Sequence, residues 1–145
     1  MQIREVMSHD VKIINPDTLI RDAAKIMRDA DTGFLPVGEN DRLVGTLTDR
    51  DITLHATAEG RDPNATPVRE SMSTQVVYCY EDQDTREAAH MMAQHQVHRL
   101  AILNRDKRLV GVISVGDIAD RTGDEQQIGE AMEGISKPTG QPRKM

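Results

Sequence analysis

The sequence predicts an α/β (α+β) fold made of one small β-α-β-β-α unit written twice. Three observations carry this. First, Ile3-Arg4-Glu5-Val6-Met7-Ser8 returns as Val68-Arg69-Glu70-Ser71-Met72-Ser73. The offset of 65 that takes Met7 to Met72 also takes Val11 to Val76, Ala23-Ala24 to Ala88-Ala89, Met27 to Met92 and Leu35 to Leu100. Second, Leu19, Ala23, Ile26 and Met27 fall on one face at helical spacing. Third, short apolar runs end in Gly45-Thr46-Leu47-Thr48-Asp49-Arg50-Asp51-Ile52 and again in Gly111-Val112-Ile113-Ser114-Val115-Gly116-Asp117-Ile118. A register held this long marks duplication.

The elements follow in order. A short helical lead-in, Ile3 to Met7, precedes a strand over Val11 to Ile14. Asn15-Pro16-Asp17-Thr18 breaks the strand and caps the next helix, since Thr or Asp accepts the orphan N–H groups. In the second copy Asp84 and Glu87 have capping-box spacing. Strands follow at Phe34 to Val37 and Leu43 to Leu47, joined by the polar turn Gly38-Glu39-Asn40-Asp41. The second helix begins near Asp49 and runs toward Ala58. The expected bounds are a first repeat over 1–59, a Gly- and Pro-containing linker over 60–67, a second repeat over 68–121 and a C-terminal tail over 122–145. The tail holds a short helix, Ile128 to Ile135, and a loose end from Ser136 to Pro142. Units this small bury their sheets by stacking on each other with pseudo-twofold symmetry.

Composition narrows the function. The 145 residues include one Phe, two Tyr and no Trp, so the core is aliphatic. A net charge of −6 argues against nucleic acid as partner, because such binding neutralises phosphates with Lys and Arg. Cys79 is alone, which excludes an intramolecular disulfide and suits a reduced, cytoplasmic setting. The stretch Met1-Gln2-Ile3-Arg4-Glu5 lacks the apolar core of a signal peptide, and no apolar run reaches the ~20 residues of a membrane span.

The repeated turn has a chemistry of its own. A helix N-terminus offers free N–H groups to an anion. An ionised Asp is acceptor-only, so one carboxylate can take both hydroxyls of a ribose. Flanking β-branched residues supply flat apolar walls for a base. Thr48-x-x-Asp51 and Ser114-x-x-Asp117 also have the spacing of a helix cap. Spacing alone favours the cap, and the two roles are compatible.

With these motifs the chain, from about Met1 to Arg121, resembles a pair of cystathionine-β-synthase (CBS) domains, a Bateman module. The resemblance implies a stand-alone regulatory module without catalysis, forming a homodimer and acting on a separate protein chain. It implies an adenosyl ligand in clefts between the repeats, here AMP, ADP or ATP, with Thr48/Asp51 and Ser114/Asp117 at the ribose. Val97-His98-Arg99-Leu100 is similar to a stretch in the gamma subunit of AMP-activated protein kinase, where His and Arg approach phosphates. Gly33-Phe34 replaces that pair in the first copy. By resemblance, Asp51 shares a site with Arg99, His98 and Arg50, whereas the Asp117 cleft is the poorer one. Val11-Lys12 and Val76-Val77 are expected to offer backbone and apolar contact to the base. The alternative is a dimerisation or protein-interaction domain with empty clefts.

Other residues take plainer roles. His90, His95 and His98 lack Cys or paired carboxylate partners, so no metal is expected. Met27, Met91 and Met92 read as packing residues, and Cys79 as a buried strand residue. There is no nucleophile elbow, phosphate loop or zinc spacing, so the chain is not expected to be an enzyme.

Overall fold

The computed structural model describes residues 1–137; the expected loose end beyond Lys137 lies outside them. The helices are α1 (Ile20–Ala30), α2 (Asp49–Ile52), α3 (Thr85–His95), α4 (Val115–Thr122) and α5 (Glu125–Ser136). The strands are β1 (Phe34–Glu39), β2 (Arg42–Thr48), β3 (Tyr78–Tyr80), β4 (Arg99–Leu103) and β5 (Leu109–Ser114). Single 3-10 turns at Ile3–Glu5 and Val68–Glu70 form the two lead-ins.

Two compact units result. One holds 10–76 with 107–109; the other holds Met1–His9, Val77–Asp106 and, among the described residues, 110–137. Each lead-in therefore packs with the opposite copy's strands. Ser8 and Val112 exchange both backbone hydrogen bonds, at 2.9 and 3.1 Å, and Thr46 and Ser73 do the same at 3.0 and 2.9 Å. Both pairs depend on glycine. A β-carbon on Gly111 would sit 2.7 Å from the Ser8 carbonyl oxygen, and one on Gly45 2.8 Å from that of Ser73.

In the first-copy unit β1 and β2 pair antiparallel through a two-residue turn, Asn40-Asp41, whose φ values of 53° and 63° are the left-handed pair that a tight hairpin requires. A bulge after Val37 opposes Val37 to Gly45 and Gly38 to Leu43. The expected strand Val11 to Ile14 shrinks to one parallel bridge, Ile14 to Val37. Its counterpart β3 forms a full parallel ladder with β4, in which Cys79 opposes Ile102. Proline explains the loss. Pro36 accepts from the Ile14 N–H on that side of β1, but has no N–H to donate back to the segment beside Lys12.

The expected cap of α1 differs as well. Thr18 and Asn15 close a local turn, with the Asn15 N–H donating to Thr18 Oγ1 and the Asp17 N–H to Asn15 Oδ1. Leu19 is the N-cap and offers no side-chain bond. Linker carbonyls take the orphan donors instead: Ile20 N–H bonds Thr66 at 2.9 Å and Arg21 N–H bonds Pro63 at 3.0 Å. In α3, Asp84 does cap, accepting from the Arg86 N–H at 2.9 Å. Glu87 does not complete the box; its carboxylate accepts from Gln83 Nε2.

Each unit has its own aliphatic core. Ile14, Ile20, Ala23, Met27, Leu35, Val37, Leu47 and Val68 fill one; Ile3, Met7, Ala88, Met92, Leu100, Ile102 and Ile113 anchor the other. Helix α5 starts earlier than expected, capped by Asp124, and buries Ala131 and Ile135 in the second core. Gly134 lets it lie directly on α3, where a β-carbon would fall 2.3 Å from that of Ala93.

Candidate functional site

The two repeated turns fold alike because their hydrogen bonds are local. Thr48 N–H donates to Asp51 Oδ2 at 2.9 Å, and Asp51 N–H returns a bond to Thr48 Oγ1 at 3.1 Å. Ser114 and Asp117 repeat this box at 2.9 and 3.0 Å. The capping role is thus real at both turns. It engages one carboxylate oxygen of each Asp through the backbone and holds both side chains partly buried at a helix start.

A second bond fixes what stands beside each turn. Asp49 N–H donates to the Gly33 carbonyl at 3.0 Å, and at the equivalent place Val115 N–H donates to the His98 carbonyl at 3.1 Å. In the first copy the Asp49 carboxylate folds over Gly33, where a β-carbon would lie 2.6 Å from Asp49 Oδ2. In the second copy the same place carries His98, followed by Arg99; both are exposed. One turn is thus flanked by a carboxylate and the other by basic side chains.

Of the expected site residues, Val11, Lys12, Thr48, Arg50, Asp51 and Val76 belong to one unit. Val77, His98, Arg99, Ser114 and Asp117 belong to the other. Lys12 is exposed and Val11 half-buried, in a segment without strand pairing. Val76 and Val77 are half-buried just before β3, and Val77 packs against the second core. Arg50 follows Asp49 on the first turn of α2, its N–H bonded to Asp49 Oδ1 at 2.9 Å.

One residue that spacing did not single out joins the Asp51 turn. His55 Nδ1 lies 3.9 Å from Asp51 Oδ1 and 3.4 Å from the Ser71 carbonyl. The signal in the sequence is the i,i+4 separation, which stacks the two side chains on one helical face.

The remaining chemistry lies elsewhere. Cys79 is buried in β3, and loss of solvation pushes its thiol up to about 11. His90 pairs with Glu130 at 3.3 Å. Among the described residues no three or more His, Cys, Asp or Glu side chains are grouped to hold a metal ion. A groove of about 640 Å³ between α3 and α5 is lined by residues such as Gln94, Gln96 and Glu133, none of them an expected site residue. No described helix is long and apolar enough to cross a membrane.

Comparison with known proteins follows the same duplication. The sequence model of the CBS domain matches residues 3–56 and again 68–123. The chain belongs to the CBS domain family. CBS domain-containing protein YhcV of Bacillus subtilis is 39% identical over 134 residues, 92% of this chain and 94% of its own. Hypoxic response protein 1 of Mycobacterium tuberculosis is 36% identical over 117 residues, 80% of this chain and 81% of its own. A crystal structure of Hypoxic Response Protein I, with two coordinated zinc ions, superposes with a TM-score of 0.77 at 34% identity, over 83% of this chain and 98% of that one. The CBS domain pair of protein MJ0100, solved with 5′-methylthioadenosine and S-adenosyl-L-methionine, shares the fold at a TM-score of 0.75 and 24% identity, covering 85% and 96%. The tandem CBS fold expected from the repeat is therefore the observed one.

Proposed function

We propose that this CBS pair is a regulatory module that binds an adenine nucleotide, AMP, ADP or ATP, and has no catalysis of its own. The observation that carries the reading is the pair of capping boxes. Each presents a partly buried, acceptor-only carboxylate, Asp51 or Asp117, at a helix start, the group a ribose diol needs. Beside the Ser114 turn, exposed Arg99 supplies the planar cationic fork a phosphate needs, and exposed His98 a further ring nitrogen. Arg50 adds charge at the Asp51 turn. Val11, Lys12 and Val76 in one unit, and Val77 in the other, are the candidates for contact with the base. The MJ0100 pair holds adenosyl compounds on the same fold.

In this reading the module works as a homodimer in the cytoplasm, and the ligand acts on a separate protein by favouring one conformation over another. Titration of the purified protein with adenosine, AMP, ADP, ATP and S-adenosylmethionine, followed by thermal shift and calorimetry, tests it. Asp51→Asn keeps an acceptor for the Thr48 cap but removes the charge, whereas Asp51→Ala removes both. Both variants are expected to weaken nucleotide binding, and Arg99→Ala is expected to weaken AMP more than adenosine. Unchanged affinity in Asp51→Ala would refute the ribose assignment.

One observation favours a second reading, a ligand-free dimerisation domain. Every Thr/Ser-x-x-Asp side chain already has a structural job in its cap. That reading predicts a stable dimer and no thermal shift with any adenosyl compound.

A further inference from the structure

We propose that His55 is a positioning residue for the Asp51 carboxylate and sets the site's preference for ribose over deoxyribose. This rests on the reading of Asp51 as the ribose acceptor.

The helix that carries both residues is irregular. After Ile52 the helix widens into a π-turn over Thr53–Thr57, with Ala58 N–H donating to Thr53 at 2.9 Å. The corresponding α4 of the second copy stays a regular α-helix. Such π-turns often stand at functional positions. Here it carries His55, whose Nδ1 faces Asp51 Oδ1 at 3.9 Å.

Asp51 Oδ2 is fixed by Thr48 N–H. Oδ1 is thus the oxygen left to choose its direction, and His55 is the side chain beside it. His55 is itself tied to Ser71 twice, once through its ring and once through its backbone. Nδ1 approaches the Ser71 carbonyl at 3.4 Å, and Ser71 Oγ–H donates to the His55 carbonyl at 3.4 Å. Ser71 is 2% exposed, so the anchor is a core position and not a mobile surface group. His55 therefore connects the Asp51 carboxylate to the second lead-in, at the residue that ends its 3-10 turn. With Oδ2 bonded to the Thr48 N–H and the imidazole standing 3.9 Å from Oδ1, the carboxylate has its swing limited on the His55 side, which favours the single orientation a vicinal diol needs. The second copy has Arg121 at the position equivalent to His55.

The test compares adenosine with 2′-deoxyadenosine by calorimetry, so that no phosphate contact contributes. Wild-type protein is expected to prefer adenosine. His55→Ala should reduce that preference by up to about fivefold, the range of a partly exposed contact to a carboxylate. His55→Asn, which can place an amide N–H where Nδ1 stood, should restore most of it. Circular dichroism melts show whether His55→Ala is folded, and the Asn variant serves if it is not. An unchanged preference in His55→Ala, or in His55→Asn and His55→Phe alike should Ala not fold, overturns the proposal. Asp51→Asn separates the two claims. If it loses the preference while the His55 variants keep it, His55 is not the positioning residue and the ribose reading stands. If Asp51→Asn keeps the preference, or wild type binds neither nucleoside, the ribose reading fails and the role of His55 fails with it.

Discussion

Gly111 lies against Met7, so close that a β-carbon on the glycine would fall 2.6 Å from the methionine sulfur. Gly45 meets Met72 in the same way, at 2.9 Å. The two contacts seat the lead-ins on the opposite copies' second hairpin strands. Gly111→Ala and Gly45→Ala should each destabilise the protein by about 1–3 kcal/mol, because a flexible methionine can move away but the Ser8 and Ser73 carbonyls cannot. Urea unfolding followed by circular dichroism measures this, with a lower midpoint and an unchanged slope expected.

Two glycines in α5 should respond in opposite directions. No atom outside the helix's own local backbone lies within 4 Å of a β-carbon built on Gly129, whereas Gly134 is pressed onto Ala93. Gly129→Ala is expected to raise stability by up to about 1 kcal/mol by reducing the freedom of the unfolded chain. Gly134→Ala should lower it and loosen α5 from α3. Thermal melts of the two variants side by side decide the matter.

The capping boxes give a matched pair. Ser114→Ala and Thr48→Ala each remove the hydroxyl that accepts from the N3 amide, at a cost of about 1 kcal/mol. Similar losses in both are expected, because the two boxes have nearly the same geometry. A melt in which only one variant is destabilised would show that the turns are not structurally equivalent.

Acid should weaken the protein partly through Asp84. The Arg86 backbone N–H, and then the N-terminal ammonium 3.4 Å away, hold its carboxyl below the usual 3.8. A carboxyl depressed in the folded state contributes stability above its unfolded-state value and loses it as pH falls through the folded one. Asp84→Asn, which still caps α3, should therefore flatten the decline in stability between about pH 5 and about pH 2. Unfolding midpoints across that window, compared with wild type, check the sign.

The pattern of what could be read from the chain has a physical basis. The hairpins, the helix faces and both capping boxes depend on residues within a few positions of each other, and Thr48 with Asp51 or Leu43 with Leu47 carry their signal locally. The α1 cap was illegible because Thr66 and Pro63 supply it from across the linker. The strand at Val11 failed for a reason visible only once its neighbour was known: Pro36 is a poor strand partner, but nothing in Val11 to Ile14 says that Pro36 will lie beside it. At the candidate site, the repeat singled out Asp51 and Asp117 and a resemblance singled out His98-Arg99, and of these the capping geometry of the two Asp residues is the part the local sequence encodes. His55 had only its i,i+4 separation from Asp51 to mark it, a spacing that any helix repeats many times.

The crossed lead-ins bear on how such a chain could have arisen and how it can be cut. An ancestor with one copy would carry a lead-in with no glycine notch of the opposite copy to fill, so two such chains would have had to trade arms. Fusion of the gene to itself turns that trade into an event within one molecule, at the high effective concentration a short tether gives. Dissection at the linker undoes it. A fragment ending near Thr66 keeps Met7 but loses Met72, and its counterpart loses Met7, so each half would expose the groove its twin once closed.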